Sequence, residues 1–320
     1  MRTNNRTWLR WSVVAVALAI AAIFPLVART YFLQFATDAL MFAILASSWN
    51  IVGGYTGYPS FGNVVFFGLG AYTTAVLMTK AGAPFVVGLL GSGLLCVVFA
   101  VLIGLPVLRL RGHYFAIATL GVAEAMREVV INLDITEGNT GIVLPLIRNP
   151  EMFYYFMLGT LILTLAVTFW FTRRRLGYGL VAIREDEDAA ASTGVDTTRY
   201  KVIAFALSAL FAGIAGGIHA YKITFIEPGP VFSVEITVQM IVMSVFGGVG
   251  TIIGPTIGAF LLEIISELLS NYILLLHATF FGLVVILAIV FTPRGLVDIL
   301  SGRRPIGLGY FLENVREHRI

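Results

Sequence analysis

Apolar runs close to the thickness of a bilayer recur along almost the whole 320-residue chain, and no other feature limits its fold as strongly. The runs are rich in Leu, Ile, Val, Ala and Gly, and they are continuous. A helix rising ~1.5 Å per residue crosses a hydrocarbon core of ~30 Å in about 20 residues. Only helices and closed barrels satisfy their backbone groups there, and barrel strands alternate apolar with polar residues. Charged residues are 12% of the chain, about half the usual share of a soluble domain. The expected fold class is therefore all-α, a polytopic membrane protein.

About ten transmembrane helices are predicted, near 11–28, 32–52, 60–79, 84–108, 112–133, 152–172, 199–222, 234–250, 255–276 and 277–292. An even number puts both termini on one side. Of the 21 Lys and Arg, sixteen fall in one set of loops, four in the other, and Arg127 lies inside a span. The richer set is expected to be cytoplasmic, and with it both termini. The chain then divides into a cytoplasmic N-terminus (1–10), a transmembrane domain (11–292) and a cytoplasmic tail (293–320), with a large cytoplasmic loop at 173–199. A rival reading takes the first run as a cleaved signal peptide, with Ala-x-Ala choices near Ala17 to Ala21. The lone cysteine, Cys96, permits no disulfide within the chain and reads as a small buried hydrophobe.

Small residues recur every fourth position in the seventh span, at Ala204, Ser208, Ala212, Gly216 and Ala220. Gly250, Gly254 and Gly258 repeat the spacing. Such rows let helix backbones approach closely in lipid. The stretch 50–63, NIVGGYTGYPSFGN, is different, because its glycines and Pro59 break a helix and bring polar groups with them. It is either a plain cytoplasmic turn or an unwound segment bordering a solute path. On the second reading Asn50, Tyr55, Tyr58, Ser60 and Asn63 are candidate path residues.

Charges at membrane depth cost roughly 2.5–3.5 kcal/mol on insertion scales, so they usually pair or face a bundle interior. Glu124 and Arg127 stand three residues apart in the fifth span, with Glu128 beside them. They are either a self-neutralising pair or polar lining of a path. Glu263 and Glu267, with Ser266 and Ser270, form a polar stripe in the ninth span whose role stays open. His219 lies alone and reads as a packing residue. There is no P-loop, no metal-ligand spacing, no nucleophile elbow and no potassium-filter sequence. No enzymatic activity and no nucleic-acid partner is expected.

The acids concentrate in one place: residues 182–194 read AIREDEDAAASTG, behind Arg173, Arg174 and Arg175. Alanines favour helix, and Gly194 supplies a left-handed stop, so a helix of about three turns is expected on the cytoplasmic surface. Its acids repel anionic lipid, so it is either an ordinary solvated helix or a surface for a protein partner. Here Asp188-Ala189-Ala190, three residues and Gly194 resemble the Glu-Ala-Ala-x-x-x-Gly loop of ABC importer permeases, with Asp in the Glu place. The wider stretches 177–220, 109–132 and 243–263 resemble the LivM-type permeases of branched-chain amino-acid ABC importers, and the similarity runs from about 37 to 298.

The resemblance implies a permease domain over 11–292 that lies in the cell (inner) membrane, surrounded by lipid. A second, non-identical LivH-type permease subunit would pair with it, and an extracytoplasmic substrate-binding protein would deliver the solute. Two cytoplasmic ATPase subunits would bind ATP, with no cofactor on this chain. Coupling would fall to Arg184, Glu185, Asp186, Glu187, Asp188, Ala189, Ala190 and Gly194. Related solutes within the same importer class are urea, short amides and aromatic acids. An ATP-independent channel is a further alternative. Glu137 departs from the Gly-rich outer loop of such permeases.

Overall fold

The computed structural model describes residues 16, 18–147, 149–272, 282 and 295–297. The N-terminal segment 1–10 lies outside them, as do nearly all of the span 277–292 and of the tail 293–320. Within the described residues the chain is a helical bundle, beginning with α1 (Leu18–Val27) and α2 (Thr30–Gly53). Then come α3 (Val64–Thr79), α4 (Phe85–Val107), α5 (His113–Asn132) and α6 (Pro150–Thr172). Two short helices follow, α7 (Arg175–Glu185) and α8 (Glu187–Ser192). The series closes with α9 (Thr197–Ile223), α10 (Pro228–Val231), α11 (Val234–Gly247) and α12 (Gly254–Tyr272).

Among the described residues five segments are long and apolar enough to cross a membrane: α2, α4, α6, α9 and the stretch Pro228–Gly247. The third expected span shortens to α3, because the irregular backbone persists to Asn63. The fifth is α5, a 20-residue helix that carries three charges.

Local chemistry places the helix ends. Asn149 accepts the Met152 amide and Pro150 opens α6, the two preferred residues at that terminus. Asp196 caps α9 through the Arg199 amide, and Ser233 caps α11 through Glu235. Pro25 has no N–H for the Ala21 carbonyl, four residues back. That carbonyl instead accepts the Tyr154 hydroxyl at 2.9 Å, which pins α1 to α6.

The core is the seam between α9, α3, α4 and α2, where the predicted small-residue rows do their packing. A Cβ added at Gly216 would stand 2.0 Å from the Phe67 carbonyl oxygen, and one at Gly70 2.0 Å from that of Gly213. Larger residues would force α3 and α9 apart. The row at 250–258 acts likewise, with Gly258 against the Met243 carbonyl of α11. His219 packs on Phe67 with ring centroids 5.3 Å apart. Its Nδ1 is buried without a partner among the described residues. Cys96 is buried and free, and its thiol donates to the Phe66 carbonyl.

The bundle has two unlike ends. One holds the 54–63 connector, α7 and α8, and the α11–α12 turn. The other holds residues 133–147 and a small antiparallel strand pair, β1 (Ile142–Val143) and β2 (Phe225–Ile226). There Glu137 takes a left-handed φ of 58° and its carboxylate pairs with Lys80.

Candidate functional site

The expected single helix over 184–194 is in fact two. α7 ends at Glu185, and Asp186 turns extended, with φ −161° and ψ 113°. Its carboxylate then accepts the amides of Asp188 and Ala189, both at 2.9 Å, and starts α8 afresh. An aspartate that caps the next helix competes with continuing the previous one. The left-handed stop is where it was expected, at Gly194, with φ +89°.

The break sorts the acids into different roles. Glu187 faces inward and accepts Lys201 Nζ at 2.6 Å and the Tyr58 hydroxyl. Lys201 is 3% exposed, and it also donates to the Leu108 carbonyl at 2.9 Å and to Tyr58 Oη at 3.3 Å. An ammonium has three N–H donors, so three acceptors from α8, the end of α4 and the 54–63 connector use them all. Burial alone would raise the Glu187 carboxyl. The Lys201 and Tyr58 hydrogen bonds and the Lys201 charge outweigh that and hold it below the usual range. Burial, and then the Glu187 carboxylate, push the Tyr58 hydroxyl well above its ordinary value.

Asp188 is exposed and is gripped by Arg111 of the α4–α5 connector in a two-pronged pair, at 2.8 and 2.9 Å. Those bonds and the Arg111 charge lower its carboxyl below the usual range. Arg184 donates to the Gly54 carbonyl at 3.2 Å and pairs with Glu185 at 2.9 Å. Gly57, at φ +73°, makes room for it, since a Cβ there would come within 2.8 Å of Arg184 Cγ. Ala190 is buried, while Ala189, Ala191, Ser192, Thr193 and Gly194 stay exposed. The result is a small helix fastened on its inner side and bare along its outer side.

The other sequence candidates fall into two groups. Asn50, Tyr55, Tyr58, Ser60 and Asn63 are buried within the chain. Asn50 of α2 holds the α11–α12 turn, donating to the Thr251 carbonyl and accepting the Gly250 amide, both at 2.8 Å. Tyr55 packs edge-on against Phe171 of α6. The Ser60 carbonyl accepts the Trp49 indole N–H, and Asn63 donates to Ser208 at 2.9 Å. These five brace the 54–63 connector and its surroundings against α2, α6, α9 and the α11–α12 turn. Glu124 and Arg127, in contrast, pair with each other on the open side of α5, and Arg127 also reaches Glu128 at 3.3 Å. In the ninth span Glu267 accepts the Tyr31 hydroxyl of α2. No group of three or more His, Cys, Asp or Glu able to hold a metal occurs among the described residues.

Reading the sequence alone missed Lys201 and Arg111, which had counted only as cytoplasmic cations. A signal for Lys201 was present. It continues the stripe Ala204, Ser208 and Ala212 at helical spacing, and all four are buried.

Long apolar helices and close-packed small-residue seams define a multi-pass helical membrane protein. The chain belongs to the family described as the branched-chain amino acid transport system, permease component, whose model matches residues 31–290. It is 31% identical to the high-affinity branched-chain amino acid transport system permease protein LivM of Salmonella typhimurium, over 88% of this chain and 73% of that protein. Similarity to the probable LivM of Methanocaldococcus jannaschii is 23%, over 80% of this chain and 90% of that one. The ribose import permease protein RbsC of Escherichia coli is 26% identical over 69% of this chain and 74% of its own. No solved structure matches the chain.

Proposed function

We propose that this chain carries branched-chain amino acids through the cell (inner) membrane as one membrane subunit of an ATP-driven importer. On this reading both termini and α7–α8 are cytoplasmic, 11–292 is the permease domain, and the strand pair faces the delivery side. A LivH-type second permease, two ATPase subunits that bind the ATP, and an extracytoplasmic binding protein complete the machine. The observation that carries the reading is the asymmetry of α8 in a chain of this family: latched inward through Glu187, Lys201 and Arg111, open outward at Ala189 and Ala191 to Gly194.

The physics of coupling follows from that asymmetry. An ATPase gripping the outer side of α8 moves a body bonded to α9, the end of α4 and the 54–63 connector. Short buried bonds transmit the displacement, because packed interiors switch between discrete arrangements and do not deform smoothly. Lys201 is thus a positioning residue, which holds α8 to the bundle without touching solute. The buried braces from Asn50 to Asn63 act on the same side, and the solute route runs between this chain and the second membrane subunit.

The test is Gly194→Val. The site has open space for a side chain but a φ of +89°, so the change strains the stop without a clash. In the reconstituted transporter, solute-stimulated ATP hydrolysis is expected to fall while the chain still inserts. Unchanged stimulation argues against docking at α8. Uptake of labelled leucine should need ATP and the second membrane subunit, and this chain alone should give none. Competition by ribose, urea and benzoate then sorts leucine from the other solutes.

A further inference from the structure

Helix α5 has two faces, and they are the wrong way round for a helix that meets lipid. Phe115, Thr119, Ala123 and Val130 are buried against the bundle. The opposite stripe, Tyr114, Ile117, Gly121, Glu124 and Glu128, recurs at helical spacing and is exposed from end to end. Tyr114 and Ile117 are 76% and 67% exposed, and the side chains of Glu124 and Glu128 are each 55% exposed. Charged groups in membrane spans face protein or water, not lipid tails. At Gly121 an added Cβ would meet nothing within 4 Å, so the middle of the stripe is open to a close-lying backbone.

The charge on this face does not balance. Two carboxylates, Glu124 and Glu128, share one guanidinium, Arg127, and its Nε is buried without a partner among the described residues. A second copy of α5 would double the deficit. The chain's own apolar stretch 277–292 has neither Lys nor Arg, and its single histidine, His277, stands at its very first position.

We infer that this stripe is the seam with a different membrane chain, and that the helix seated on it carries a basic side chain reaching Glu124 and Glu128. A basic residue there completes the ion cluster away from lipid, and Gly121 sets how closely the two backbones lie. The inference refines the transport reading by naming the face and the chemistry of the partner.

The experiment uses the full transporter in native membranes, with Gly121→Cys carrying benzophenone maleimide (Cys96 is buried). Illumination should link it to a peptide of another membrane chain with Lys or Arg within about one turn of the linked residue. Ile117→Cys, on the same stripe, serves if the first variant assembles poorly. Glu124→Gln with Glu128→Gln should cut co-purification of that chain roughly tenfold or more. Linkage to lipid, to this chain itself or to a peptide without a basic residue overturns the inference. So does fast labelling of Gly121→Cys by a charged water-soluble thiol reagent, which marks a water-filled wall. Leucine uptake by the unmodified transporter is measured alongside. Its absence defeats the amino-acid reading and leaves the cross-link to decide the seam.

Discussion

The Glu187–Lys201 cluster and the Glu124–Arg127–Glu128 cluster are built from the same kinds of group and closed in opposite ways. At the first, a 3% exposed ammonium has every donor used within the chain. At the second, two carboxylates crowd one guanidinium on an exposed helix face. A saturated ionic cluster fixes parts of one chain to each other. An unsaturated one at membrane depth is completed by something outside the chain. The two lysines of α9 repeat the contrast on a smaller scale. Lys201 is sealed, while Lys222 near the far end has one hydrogen-bond partner among the described residues, Asp38, and borders a cavity of about 290 Å³.

The sharpest way to break this comparison is to remove the sealed cation. Lys201→Met takes from Glu187 its cationic partner and from the Leu108 carbonyl its donor. The expected loss is roughly 3 kcal/mol of stability, at the low end for a buried pair because Glu187 keeps some solvent. Thermal unfolding in detergent reads it. A Glu187→Met, Lys201→Met double variant should recover part of the loss, and strictly additive losses would dissolve the latch.

The open cluster should respond by charge count. Arg127→Gln leaves two carboxylates at membrane depth without their guanidinium, with an expected cost of roughly 2–3 kcal/mol to insertion. Arg127→Gln combined with Glu124→Gln should cost less than Arg127→Gln alone, read as membrane-inserted yield. Equal yields of the single and double variants would rule out the pairing.

Acid should affect the sealed cluster next. The native Glu187 carboxyl sits below its ordinary value of ~4.3, so its contribution is complete above that pH. It fades as pH falls through the lowered native value. Glu187→Gln should therefore narrow its stability gap to the parent protein as pH drops, and a gap that stays constant would contradict the assignment.

The smallest effect belongs to Arg111→Gln. The Arg111–Asp188 pair is exposed, and salt screens such pairs. Stability is expected to stay within error, while half-saturation by the ATPase subunit shifts in a salt-dependent way. A large loss of stability would mean that the grip on α8 is structural at this contact too.

Much of the fold was readable in advance, because its signals are local. Runs such as 84–108 and 199–222 became α4 and α9 almost residue for residue, since lipid leaves a long apolar segment no alternative to helix. The rows through Gly216 and Gly258 were legible for the same reason. What failed to show was partnership. Asp186 looked like one acid in a row of four, yet its side chain ends one helix and begins the next. Asn50, Tyr58 and Asn63 suggested either a turn or a path, and each is buried by residues far away in the chain.

By itself, then, the order of residues determined the helical membrane class, the approximate spans, the left-handed stop at Gly194 and the ion pair within α5, because these depend on neighbours within a few positions. Only the tertiary structure decided which charges are sealed and which are open. Lys201 meets Glu187 across 14 positions but Leu108 and Tyr58 across 93 and 143. Desolvation is a property of the surrounding volume, which no stretch of sequence contains.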